Sequence, residues 1–359
     1  MRWTGPLRWL VWLVPAVPAL CIVHDAVAFL RFDAAEVARR LDLALEQPPA
    51  LPELPIPKAT RGEVQVVLLG ASSVAFGGRE LSLSVAEGLD AVGVSAAVTN
   101  AGWEGLRMST LRLRLEAVLE DRQAAGAPVQ VVALYAGHND RTEPYHSAIR
   151  DTLGTLWSVR LLHMGHVASR RLTGRPAARF RPYHNMRVGS FVDAAERAGL
   201  VTFPHEELRA CLDASHAHFV SQLDALRRDL AAQGIALVVI TPVGNLEARI
   251  FGDAQARRLL AEADAAPDAS SRFALLRAAQ ERETLTPYLR AVDATRQALR
   301  ELARHDGVTL VDLADWLDTA QVPLGDNLFL DHMHFRDPEG YVWLRRAFVE
   351  GVADALEAR

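Results

Sequence analysis

At 359 residues, with 50% apolar and 23% charged side chains, the chain has ordinary globular composition and enough apolar material for a sizeable core. A net charge of -5, from 39 basic and 44 acidic residues, gives no broad electrostatic attraction for nucleic acid, which is set aside as a partner. The two cysteines, Cys21 and Cys211, make neither a disulfide framework nor a zinc site.

Trp9 to Val23 is uncharged and apolar, preceded by Arg2 and Arg8 and followed by His24 and Asp25. Residues 1–30 therefore read as a membrane anchor, although the run is shorter than the roughly 20 residues of a full span. The rival is a signal peptide with Ala26-Val27-Ala28 as its cleavage site. Either way the flanking arginines stay inside, and the remainder is expected outside the cytoplasm, anchored or secreted, in the periplasm or extracellular space.

Asp33 to Glu46 has helical periodicity, and Gln47 to Thr60 then carries Pro48, Pro49, Pro52, Pro55 and Pro57. That proline density predicts a semi-extended spacer. Residues 31–61 thus read as a helix and linker, and a folded domain is expected over 62–359. Within it, apolar β-rich runs at Val64 to Leu69, Val94 to Thr99, Val129 to Tyr135, Ile235 to Thr241 and Val308 to Val311 alternate with amphipathic helices. Near-continuous apolar runs mark strands covered on both faces, which predicts a doubly wound parallel sheet.

Two long stretches interrupt that pattern. Residues 141–205 contain Trp157 and a basic cluster of Arg170, Arg171, Arg175, Arg179, Arg181 and Arg187, and a connection this long suggests a lid or binding role. Glu206 to Gln233 then reads as a long amphipathic helix, and Asp253 to Arg304 as two or three helices without a fixed-period repeat.

Polar and glycine-rich clusters recur just after the strands. The first strand runs into Gly70-Ala71-Ser72-Ser73, the second into Asn100-Ala101-Gly102-Trp103-Glu104-Gly105, and the third into Gly137-His138-Asn139-Asp140. The fourth ends in Thr241-Pro242, and well past the fifth comes Asp331-His332-Met333-His334. In open parallel sheets, ligands bind at that edge. Acyl transfer through a serine needs a nucleophile, a histidine base, a carboxylate behind the histidine and donors for the oxyanion.

Ser72 is the candidate nucleophile, His334 the base, and Asp331 the carboxylate, three residues away and able to meet the histidine within one turn. Gly105, Asn139 and the Ser72 backbone N–H are candidate oxyanion donors. A second Asp-x-x-His, Asp213 to His216, falls inside the predicted 206–233 helix and serves as a control on how cheaply the pairing arises.

The four blocks resemble the SGNH, or GDSL-type, hydrolase superfamily, which supplies Ser, Gly, Asn and His in this chain order. Ala71 stands where the family's Asp would be. The resemblance covers roughly Val64 to Ala355 and is similar to a membrane-anchored bacterial branch. It implies a flavodoxin-like three-layer α/β/α sandwich on a five-stranded parallel sheet, with helical insertions at about 141–205 and 253–304.

It further implies a serine esterase acting on a carboxylic ester, with O-acyl groups of an envelope glycan or lipid as candidate substrates. The alternatives are an O-acyltransferase using the same residues, and a non-catalytic envelope scaffold or binding protein. No metal or nucleotide cofactor is expected: no strand is followed by a phosphate-binding glycine fingerprint, and His163 and His166 lack companions for zinc. His138 and His332 read as structural neighbours of the site.

Overall fold

The apolar runs form five parallel strands: β1 (Val64–Gly70), β2 (Ala96–Asn100), β3 (Val131–Tyr135), β4 (Ala236–Ile240) and β5 (Val308–Val311). The computed structural model describes residues 31–46, 55–153, 192–194, 196–199, 202–247, 250, 252–284, 293–320, 322–331 and 333–359, with some positions between 16 and 28. The strand order is β2-β1-β3-β4-β5, with every pair parallel. This is the flavodoxin-like order, and its winding reverses between β1 and β3.

Alternation along the strands divides the core into two layers. Leu68, Tyr135, Val238 and Ile240 face α2 (Ser72–Ala91) and α10 (Tyr341–Glu357) through Val85, Leu89, Phe348 and Val352. Leu69, Leu134 and Val239 face α3 (Met108–Ala124), α5 (His205–Ala232) and α8 (Asp293–Leu302) through Leu115, Leu223 and Leu299. All residues of β2, β3 and β4 are buried, as a sheet covered on both sides requires. Residues 253–304 supply α6 (Ala254–Asp264), α7 (Ala269–Glu281) and α8, and α9 (Leu313–Thr319) follows β5.

Directly after β3 the chain enters α4 (His138–Leu153), which runs through Arg141 and Pro144. A proline inside a helix strands the carbonyl four residues earlier. Here that group is the Asp140 carbonyl, and it accepts from Ser215 Oγ of α5 at 2.9 Å, so the helix continues.

Against expectation, the proline-rich segment is no free spacer where it is described. Helix α1 (Ala34–Glu46) buries Val37 and Leu41 against Tyr145, Ile149, Leu208 and Leu212, forming a third apolar cluster with α4 and α5. A lone helix of this length is marginal in water, so its apolar stripe finds a partner. The Pro57 carbonyl accepts from Arg122 at 2.7 Å. Thr60 N–H donates to the Val98 carbonyl at 3.0 Å, and Val98 N–H donates to Thr60 Oγ1 at 2.8 Å.

Trp157, the arginines at 170–187, His163, His166, His332 and most of residues 1–30 lie outside the described residues. No helix of the described residues is long and apolar enough to cross a membrane.

Candidate active site

Ser72 is the first residue of α2, immediately beyond β1. Gly70 permits that junction, since a Cβ there would lie 2.4 Å from both the Tyr135 carbonyl and the Val74 side chain. The helix kinks at Gly78 (φ 51°), and Asn100 Nδ2 donates to the carbonyls of Val74 and Gly78, each at 2.9 Å. A side chain from the end of β2 thereby fixes the first turn that carries Ser72.

His334 and Asp331 sit on the loop between α9 and α10. Phe329 and Phe335 form an antiparallel bridge, both fully buried with rings 5.2 Å apart, and the intervening residues make the tip. At that tip Asp331 Oδ1 accepts from the Met333 and His334 N–H groups, each at 3.0 Å, and Oδ2 accepts from His334 Nδ1 at 2.7 Å. His334 Nε2 lies 2.8 Å from Ser72 Oγ. The network assigns the Nδ1–H tautomer, which leaves Nε2 to accept the serine proton.

Partial burial pushes the Asp331 carboxyl upward. The His334 hydrogen bond and charge and the two backbone donors outweigh it and hold the carboxyl well below the usual carboxylate range. Ser72, not its neighbour, reaches the histidine. Ser73 Oγ is instead turned to the Met333 carbonyl at 3.5 Å, and the Ser73 carbonyl accepts from Tyr341 hydroxyl at 2.9 Å.

Gly105 lies on an exposed turn before α3 with φ +76°, a left-handed conformation that favours glycine. Asn139 is in the first turn of α4, buried, and its Nδ2 donates to the Leu106 carbonyl at 3.1 Å. The amide keeps a second N–H. Next to it, the buried Asp140 carboxylate accepts from Met108 N–H and so caps α3 from another element. Burial pushes Asp140 up to about 7, against the Met108 hydrogen bond and the Arg107 charge.

Several residues here escaped sequence reasoning. Asn245, in the loop after β4, donates to the Asp331 carbonyl at 3.0 Å and to Asp326 Oδ1 at 2.8 Å, while its Oδ1 accepts from Glu247 N–H. Its signal was a polar residue just beyond Thr241-Pro242, at the sheet edge that already held the other clusters. Thr241 itself serves α9, accepting from Ala314 N–H and donating to Asp312.

His138 is buried on Tyr135 with Nε2 3.0 Å from the Val243 carbonyl, and burial lowers it to about 4, so it stays neutral. Asp213 and His216 remain on α5, the His216 ring beside Phe219. Among the described residues no group of three or more His, Cys, Asp or Glu could hold a metal ion. A groove of about 620 Å³ along residues 56–62 reaches Gln65 and Ala97 at the starts of β1 and β2, and none of the site residues line it.

No family model matches the chain, and no curated protein does. Among solved structures it is similar to the acetyl xylan esterase AlAXEase, at 15% identity and TM-score 0.39 over 79% of this chain and 98% of that one. It is also similar to Axe2, an acetylxylan esterase from Geobacillus stearothermophilus, at 14% identity and TM-score 0.41 over 81% and 94%. The lipase/acylhydrolase from Enterococcus faecalis gives 15% identity and TM-score 0.37 over 81% and 96%. With identities and TM-scores this low, the likenesses carry no argument about activity, which rests on the chain's own geometry.

Proposed function

We propose that the chain is a serine esterase that hydrolyses carboxylic esters, of the kind the resemblance to SGNH hydrolases implies. The observation that carries this reading is the 2.8 Å contact between Ser72 Oγ and His334 Nε2, with Asp331 Oδ2 2.7 Å from Nδ1 behind it. Ser72 Oγ attacks the ester carbonyl carbon while His334 Nε2 takes its proton, and Asp331 stabilises the imidazolium. The oxyanion is received by the Ser72 and Gly105 N–H groups and the second Asn139 amide N–H.

The C–O bond then breaks, and His334 returns the proton to the leaving alkoxide. Water repeats the sequence on the acyl-enzyme, releasing the acid and restoring Ser72. Water is the acceptor we assign: Leu330, paired to the His334 backbone, and Phe76, beside its ring, are 63% and 54% exposed, so the side from which the alcohol leaves is open to water once it has gone. We further propose that residues 62–359 act outside the cytoplasm on an O-acyl group, with residues 1–30 as anchor or signal.

The test uses the full chain. A fluorophosphonate should label the wild type at Ser72, a short-chain aryl ester should be hydrolysed, and Ser72→Ala should abolish both. Unchanged turnover in Ser72→Ala overturns the assignment. Acylated alcohol in excess of free acid, in the presence of an acceptor alcohol, would make the enzyme a transferase instead.

A further inference from the structure

The esterase reading leaves open what the ester carries on each side of its carbonyl, and two apolar side chains beside His334 bear on that. Phe76 follows Ser72 by four residues, so both share one face of the first turn of α2. Its ring centroid lies 4.8 Å from that of His334, the planes tilted by 39°. More than half of the Phe76 surface nevertheless faces solvent.

Leu330 is the second. Its N–H donates to the His334 carbonyl at 2.8 Å, and Phe329 beside it and Phe335 across the bridge are wholly buried. Leu330 itself is exposed, and more so than Phe76. A single exposed leucine needs no explanation. An exposed phenylalanine beside the His334 ring, with an exposed leucine on the residue paired to His334 through the backbone, does.

The direction of proton transfer says which half of the ester they meet. His334 Nε2 receives the Ser72 proton and gives it to the leaving oxygen, so that oxygen must come to the His334 side. The proposed oxyanion donors, Gly105 and Asn139, belong to the segments after β2 and β3, not to the loop that carries His334. The group bonded to the leaving oxygen is then brought to His334, whose neighbours are Phe76, through its ring, and Leu330, through its backbone.

We infer that Phe76 and Leu330 form the seat for the alcohol half of the ester, and that this alcohol presents an apolar face of about ring size. The inference rests on the esterase reading. Phe76 is then a specificity-determining residue, burying its free face against the alcohol as the ester binds.

The test compares benzyl acetate with methyl acetate, whose leaving alcohols have similar basicity, using the full chain and following acid release. The wild type should prefer the benzyl ester in kcat/KM, and Phe76→Ala should cut that preference about tenfold, the scale expected for losing one apolar contact in a pocket. Leu330→Ala should act in the same direction, and Phe76→Tyr, which keeps the ring, should retain the preference. The ratio between methyl butyrate and methyl acetate should not move in Phe76→Ala, since it reports the acyl side.

Equal losses on both acetates would make Phe76 a mere support for His334 and overturn the inference, as would a wild type without benzyl preference. In either case fluorophosphonate labelling of Ser72 would leave the esterase reading standing. No labelling and no turnover of either acetate would remove both.

Discussion

Asn245 donates a side-chain N–H to the backbone carbonyl of Asp331. The bond ties the loop after β4 to the turn holding Asp331, the proposed triad carboxylate, and Asn245 is only 1% exposed. Asn245→Ala should lower kcat about tenfold with little change in KM. It should also destabilise the fold by about 1–3 kcal/mol, the usual cost of leaving buried polar groups unpaired. Steady-state kinetics and thermal melts check both, and an unchanged kcat would show that the turn holds itself.

His138 should make the protein acid-sensitive. Burial lowers its folded pKa to about 4, below the ordinary value of 6.5, so the unfolded chain binds the proton more readily. The stability it contributes is complete above pH 6.5 and is lost as pH falls toward 4. His138→Gln, which keeps a donor for the Val243 carbonyl, should flatten the decline of Tm between those values.

Asp140, two residues on, has the opposite sign. Its folded pKa is raised to about 7 from 3.8, so the folded state holds the proton more tightly. Its contribution is complete below pH 3.8 and is lost as pH rises through 7, at up to about 1.4 kcal/mol per pH unit. Asp140→Asn still offers an oxygen to Met108 N–H, and its stability relative to the wild type should grow steadily from pH 4 to pH 7.

Gly105 and Gly126 make a matched pair. They have φ +76° and +70°, and a Cβ at either would meet nothing within 4 Å. Alanine at each should cost about 1–2 kcal/mol of stability through the left-handed backbone alone. Only Gly105→Ala should also reduce kcat, because Gly126 lies beyond the far end of α3 and carries no proposed donor.

The sheet was legible because a strand buried on both faces writes itself as an unbroken apolar run, as Val131 to Leu134 does. The meeting of Ser72 with His334 and Asp331 was legible because Ser72 directly follows β1 and the other two share one turn late in the chain. Other features depend on partners distant in sequence. The helix through Pro144 is met by a hydroxyl from Ser215, and the Asp331 turn by the amide of Asn245, 86 residues away. The composition of residues 47–60 pointed to a spacer because proline density reports stiffness, whereas docking depends on Arg122 and Val98 at the other end of those hydrogen bonds.

The pairing of Thr60 with Val98 bears on how copies of this chain meet one another. β2 is an edge strand, and an open edge is a template on which another chain can add a strand. Val98 spends both of its outward groups on Thr60, and the Ala96 carbonyl accepts from Thr60 Oγ1 at 3.3 Å. At the other edge β5 offers four residues. A protein begun at Gly62, where composition suggests the domain starts, would bare the β2 edge and also the apolar surface under Val37 and Leu41. It should self-associate in sedimentation, whereas a protein begun at residue 31 should remain monodisperse.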